Sequence, residues 1–338
     1  MTMSSPTSEL PSPSPFSKPP SDIFPITSES LDLSLSTSAL LRAATAAAHQ
    51  SAEESAGAKG LLGGRLPKEE YTKFLFILWH LYHILEAALD AHASHPAIAP
   101  IYNPTILRRT DSLSADIASF LDANSSDPAV WQQHPQYESF LPFPAPVQAY
   151  LSRISSIASS PSEIHRLVAH AYVRYLGDLS GGQVIKRIVA KAYNLEDGEG
   201  RSFFEFARLG GPAGGDHAAS GDIIKLKQWF RDGMDAGVRD DAEKQAVVEE
   251  ANLVFKYNEN LFQLLNVPEG EPHHHPKIRI PGAKCPRKVA ASGKESLVRL
   301  VEWARRELSL GASIIPVSVL LIGLSYVALR GLKAIQFL

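Results

Sequence analysis

Apolar positions recur at three- and four-residue spacing along most of the chain between Ser36 and Val267, and the pattern lapses at both ends. Residues 36–57 (STSALLRAATAAAHQSAEESAG) are rich in Ala and Leu, open on a Ser/Thr cap and stop at Gly57, which predicts a helix with both ends marked. Residues 68–93, just past Pro67, hold the helical period for several turns and predict a second, largely buried helix. Further helical patterns cover about 105–123, 147–158, 161–194, 221–235 and 240–265. No alternating run bounded by hairpin dipeptides appears, so the expected fold class is all-α, with a single multi-helix domain over residues 38–267. The stretch 210–216 (GGPAGGD) reads as a surface insertion, and Pro142, Pro144 and Pro146 mark another break.

The ends differ from the middle. Residues 1–37 are dominated by Ser, Pro and Thr and bury too little apolar surface to offset their chain entropy, so a disordered tail is expected, either passive or phosphorylated. Residues 268–304 carry Pro, Gly and the His273–His275 triplet, then a pattern (Leu297, Leu300, Val301, Ala304) suited to a helix lying along a membrane surface. From Leu308 to Leu329 there is no charged residue. About 20 apolar residues suffice to cross a bilayer core. Residues 305–338 are therefore expected to form a C-terminal transmembrane helix, a tail anchor flanked by Arg305, Arg306, Arg330 and Lys333. The 338 residues carry a formal charge of -3, which gives no ground for a nucleic-acid partner. The single cysteine, Cys285, excludes an intramolecular disulfide framework and suits reducing cytosol. No secretory signal pattern opens the chain.

Three places could carry chemistry. His49 lies inside the first helix, with Thr45 four residues before it and Glu53 four after, so the three are expected on one face. A helical His facing a cavity can hold haem iron through neutral imidazole. His80, His83 and His170 compete on the same grounds. The second place is Tyr172–Gln183 (YVRYLGDLSGGQ), where helical sequence surrounds Gly177, Gly181 and Gly182. Glycine is costly inside a helix, so the three point either to a flat ligand approaching the backbone or to a tight helix crossing. Asp178 among them calls for a polar partner if it is buried. Third, Lys227 and Arg231 are four apart, suited to two carboxylates of a ligand or to a solvated charged face.

These segments share a resemblance. YLGDLSGGQVIKRI looks very like the signature of the haem oxygenase family, and LLRAATAAAHQSAE is similar to that family's proximal-helix segment. LWHLYHILEAAL, KLKQWFRDGM and FKYNENLFQLL resemble further family segments in the same order, over roughly residues 38–266. The resemblance implies His49 as the axial ligand of haem iron with Glu53 beside it. It implies a kinked distal helix at Gly177 and Gly181, with Gly182 also against the haem. Asp178 would organise waters over O2, with Arg174, Tyr82, Tyr150 and Asn258 extending the network. Lys227, Arg231, Tyr172 and Arg42 would hold the haem propionates. It also implies O2-dependent cleavage at a meso carbon to biliverdin, ferrous iron and carbon monoxide. Electrons would come from an NADPH-dependent cytochrome reductase, as no nucleotide-binding GxGxxG is present, and biliverdin reductase would be a further partner. The family expectation places a membrane-anchored protein with a cytosolic catalytic domain at the endoplasmic reticulum, with the mitochondrial outer membrane as the alternative. A haem carrier or sensor of the same fold is the rival reading. Cys285-Pro286 also resembles a short haem-sensing motif.

Overall fold

The computed structural model describes residues 31–196, 198–211 and 217–268. The chain divides into two units, one through His274 and one from His275. All described residues lie in the first. The predicted tail anchor, the linker with its His triplet, Cys285 and most of the Ser/Pro-rich front lie outside them.

The first unit is helical, with an isolated bridge between Ala207 and His217 as the only extended pairing among the described residues. Where the sequence predicts one helix over 36–57, the structure has three: α1 (Thr37–Ala44), α2 (Ala46–Glu54) and α3 (Ala56–Leu62). Ser55 takes an extended backbone and its hydroxyl accepts from the Ala58 N–H, capping α3. Gly57 is therefore no terminator. It sits inside α3, where an added Cβ would stand 2.1 Å from the Phe262 carbonyl oxygen.

α4 (Lys68–Ala91) starts after Pro67 with Glu69 and Glu70 in its first turn, where acidic side chains favour a helix N-terminus. It is also the only helix among the described residues that is long and apolar enough to cross a membrane, yet it is mostly buried as the core of this unit. One-turn helices α5 (Pro104–Leu107), α7 (Pro128–Trp131) and α8 (Pro135–Glu138) link α4, α6 (Thr110–Leu121) and α9 (Ala145–Ala158). Then follow α10 (Leu167–Ala171), two π-helical turns (Tyr172–Leu176 and Asp178–Gly182), α11 (Gln183–Ala192), α12 (Ser220–Gly237) and α13 (Asp241–Phe262).

α13 packs against α2 on one part of its length and against α9, α10 and the first π turn on others. It thus holds the two segments singled out by sequence. A second support comes from α6. Asp116, fully buried, accepts from the Ser202 and Phe203 N–H groups at 2.7 and 2.8 Å. Arg109 donates to the carbonyls of Ile106, Leu107, Phe203 and Glu205 and lies over the Phe206 ring. These bonds fix the 202–206 segment, whose Phe204 backs the second π turn.

The fold also begins earlier than the boundary at residue 38. Leu31, Leu33 and Leu35 pack on the core, Lys244 Nζ donates to the Leu33 carbonyl, and Thr37 Oγ1 donates to that of Val238. Period-two leucines within a Ser-rich stretch escape a reading tuned to helical spacing.

Candidate active site

His49 stands on α2 with its side chain 56 % exposed, and Glu53, one turn on, is 60 % exposed. Nδ1 of His49 lies 3.7 Å from Glu53 Oε1, in ion-pair range but too long for a direct hydrogen bond. The ring meets Phe255 of α13 edge-on at 5.5 Å, and its Nε2 makes no hydrogen bond among the described residues. Thr45 does not share this open face. It is buried at the junction of α1 and α2, its hydroxyl donating to the Leu41 carbonyl at 2.7 Å.

The competing histidines are engaged elsewhere. His170 is fully buried, with Nε2 donating to Glu250 at 3.1 Å. His80 bonds the Tyr137 hydroxyl at 2.8 Å, and burial pushes its pKa down to about 4. His83 stacks on Trp79. Among the described residues no group of three or more His, Cys, Asp or Glu converges to hold a metal. A single free imidazole is the arrangement by which haem iron is held.

The second segment departs from regular α-helix through its two π turns, a rare geometry found often at functional sites. Gly177 and Gly181 are exposed, and a Cβ added to either would meet nothing within 4 Å. No helix crosses there, so the crossing explanation fails for both. The space beside them is a cradle that side chains would fill. Gly182 is different: it is buried, and a Cβ there would touch Phe204 at 3.4 Å. A side chain there would point at the protein rather than into the open cradle.

Asp178 accepts a hydrogen bond from the Tyr82 hydroxyl of α4. Burial pushes its carboxyl up to about 6, against the opposing pull of Arg174, the Tyr82 bond and Arg109. The Arg174 guanidinium donates to Asn258 Oδ1 at 2.7 Å, so α13 reaches His49 through Phe255 and Arg174 through Asn258, one turn apart. Among the described residues the buried Tyr150 hydroxyl and Arg174 Nε have no hydrogen-bond partner, and burial pushes the Tyr150 phenol up to about 12. Asp178, Tyr82, Arg174, Asn258 and Tyr150 thus form one polar neighbourhood.

Lys227 and Arg231 are half-buried on α12, and Arg42 is exposed on α1. None of the three makes an ion pair or side-chain hydrogen bond among the described residues. Thr37 bonds Val238, and Ser38 bonds Asp235. These bonds tie the start of α1 to the end of α12. Tyr172 is half-buried with no itself-bonded partner among the described side chains. Sequence reasoning missed Phe255, Arg109, Tyr175 and Glu86. For Glu86 a signal existed, since it is an acid one turn after Tyr82 on an otherwise apolar helix face.

The family described as heme oxygenase matches residues 35–264. The chain belongs to the haem oxygenase family. It is an enzyme of that family and all-α like its relatives. The heme oxygenase 2 of Synechocystis sp. is 38% identical over 218 residues, covering 64% of this chain and 78% of the relative. The heme oxygenase 2 of Rattus norvegicus is 33% identical over 271 residues, covering 77% of this chain and 78% of the relative. The solved heme oxygenase of Leptospira interrogans superposes with a TM-score of 0.58 at 32% identity, over 68% of this chain and all of that one. The Synechocystis heme oxygenase-2 structure, in complex with heme and NO, gives a TM-score of 0.58 at 33% identity over 68% of this chain and 84% of that one. Within the haem oxygenase family, an open glycine cradle and an exposed helical histidine, both on segments packed against α13, fit a flat iron porphyrin.

Proposed function

We propose that this chain binds haem between α2 and the Gly177–Gly181 cradle and opens the ring at a meso carbon to give biliverdin, ferrous iron and carbon monoxide. O2 is the co-substrate, and an NADPH-dependent cytochrome reductase supplies the electrons. The observation that carries the reading is the open space at Gly177 and Gly181 with an acid, Asp178, held between them by Tyr82. Room for a flat ligand thus comes with a proton-carrying group beside it.

His49 would hold the haem iron through Nε2, and Glu53 near Nδ1 would orient the ring. Arg42, Lys227 and Arg231, free of internal ion pairs, take the propionates, with Tyr172 close by. Haem itself supplies the O2 binding and the redox chemistry. With a pKa of about 6, Asp178 holds and gives up a proton near neutral pH. Tyr82 fixes its carboxyl, and Arg174, held by Asn258, keeps a positive charge beside it. Biliverdin reductase is the expected acceptor of the product. The uncharged run 308–329 supports a C-terminal membrane anchor; the family resemblance adds a cytosolic catalytic domain at the endoplasmic reticulum, with the mitochondrial outer membrane as the alternative.

The test is a visible spectrum of the detergent-solubilised full chain with one equivalent of haem, before and after ascorbate under air. The expected result is a histidine-type Soret band that decays into a bilin absorption with release of carbon monoxide. A Soret band that persists would make the chain a carrier or sensor. His49→Ala should lose that band. Asp178→Asn should keep it but form bilin at least about a hundredfold more slowly, the usual scale of a lost acid–base group.

A further inference from the structure

From Pro128 to Ser152 the chain carries one charged residue, Glu138. This segment forms α7, α8 and the first half of α9, and its apolar side chains point both ways. Inward, the rings of Trp131, Tyr137 and Phe140 meet that of Phe76 on α4 at 5.9, 5.2 and 6.2 Å. Outward, Val130 and Leu141 are 44 % and 46 % exposed, with Ala129, Pro142 and Ala145 exposed as well. The glutamine amides turn back onto main-chain carbonyls. Gln133 donates to Ala129 at 2.6 Å, Gln136 to Glu69 at 3.1 Å and Gln148 to Phe143 at 2.5 Å. A segment that faced only water would carry its charges outward. A charge-poor apolar surface marks a place where something else docks.

The same end of the domain is where the described chain departs. Gln136 is held by the Glu69 carbonyl, and the Asn266 N–H donates to the Glu70 carboxylate at 2.9 Å, so both lie against the first turn of α4. Val267 covers Gly60 of α3, and Leu62, two residues on, is 41 % exposed. The described residues stop at Pro268, and residues 269–307 lead from there to the uncharged run 308–329. We infer that the surface formed by residues 128–149 rests on the phospholipid headgroups of the bilayer that holds the anchor, with Val130 and Leu141 entering the interface. The inference rests on the anchor reading given above.

Two features favour lipid over a protein partner. A protein needs polar and charged groups to fix its register on a surface, and here the amides are spent on carbonyls of their own chain while one carboxylate remains. Lipid needs no register. The surface also shares the first turn of α4 with the departing chain, so a tether leaving there holds it near the bilayer. A few aliphatic side chains bury too little area to bind a membrane unaided. Once the anchor raises their effective concentration, the same contacts suffice to choose which face turns toward the lipid. The surface therefore orients the domain and does not recruit it.

The experiment uses the full chain with its one cysteine removed (Cys285→Ser) and a single new thiol for an environment-sensitive fluorophore. Ala145→Cys places the label on the surface. Ser159→Cys places it at the far end of α9, where the Ala158 carbonyl meets His92 beyond the end of α4, about 35 Å along that helix from its first turn. Each protein is inserted into vesicles of phosphatidylcholine and phosphatidylserine, with and without a nitroxide on the lipid headgroup, and flotation establishes insertion. The label at 145 is expected to shift to the blue and to lose most of its emission to the nitroxide, while the label at 159 does neither. Adding Val130→Asp and Leu141→Asp should abolish the quenching at 145 and leave flotation unchanged. Should that pair fail to fold, the contrast between 145 and 159 decides. With floating protein, equal quenching at the two positions, none at 145, or quenching indifferent to the two aspartates overturns the lipid contact alone. A blue shift at 145 that follows protein concentration and ignores the nitroxide assigns the surface to a second copy and overturns it too. A chain that does not float overturns the contact together with the anchor.

Discussion

Gly177 and Gly181 show what a residue gives up for a site. Each costs roughly 1 kcal/mol relative to alanine inside a helix, and nothing in the protein requires either to lack a Cβ. Gly181→Ala is therefore expected to stabilise the haem-free protein by about 0.5–1 kcal/mol while weakening haem binding at least tenfold. Denaturant unfolding and a spectral haem titration check the two halves separately. A less stable haem-free variant would show that the backbone itself needs the glycine. Gly233 behaves oppositely, as an added Cβ would stand 2.5 Å from the Pro100 carbonyl oxygen. In the sequence all these glycines look alike, because what surrounds a missing side chain is set by residues far along the chain.

At the scale of elements, the helical spans were legible and their interruptions were not. The breaks at Thr45 and Ser55 fall in an Ala-rich segment that offers the period no contrast, and the π turns keep an apolar pattern close to that of an α-helix. How helices are tied together was equally hidden. Glu250 of α13 accepts from His170 of α10 and from Arg153 of α9 at 3.0 and 2.5 Å, a buried junction of three helices. Burial alone would raise its pKa, but the bonds and charges of His170 and Arg153 outweigh that and hold it at about 2. Because the folded pKa lies below the unfolded value, this stabilisation is fully present above the ordinary glutamate range and is lost as pH falls toward 2. Glu250→Gln should cost on the order of 3 kcal/mol at neutral pH, and the difference from wild type should shrink on acidification. Urea unfolding along a pH series measures it, and a constant difference would contradict the assignment.

For the whole molecule, the unit ending at His274 holds the described core and both faces of the candidate site. A chain ending at His274 is expected to unfold cooperatively and to bind haem with the affinity of the full chain. After cell fractionation it should stay in the supernatant while the full chain sediments with membranes, and equal partitioning would remove the anchor. The sequence by itself determined the all-α class, since helical period is a local property, and it marked His49 and the Tyr172–Gln183 segment, since a contiguous motif is carried by neighbours in the chain. The tertiary structure decided which histidine stays free, because His170 and His80 are taken by Glu250 and Tyr137 from distant elements. It also decided that Gly177 and Gly181 open on space while Gly182 is packed, and that Glu86 and Tyr175 meet at one hollow. Each of these depends on packing between residues remote in sequence, which no local pattern encodes.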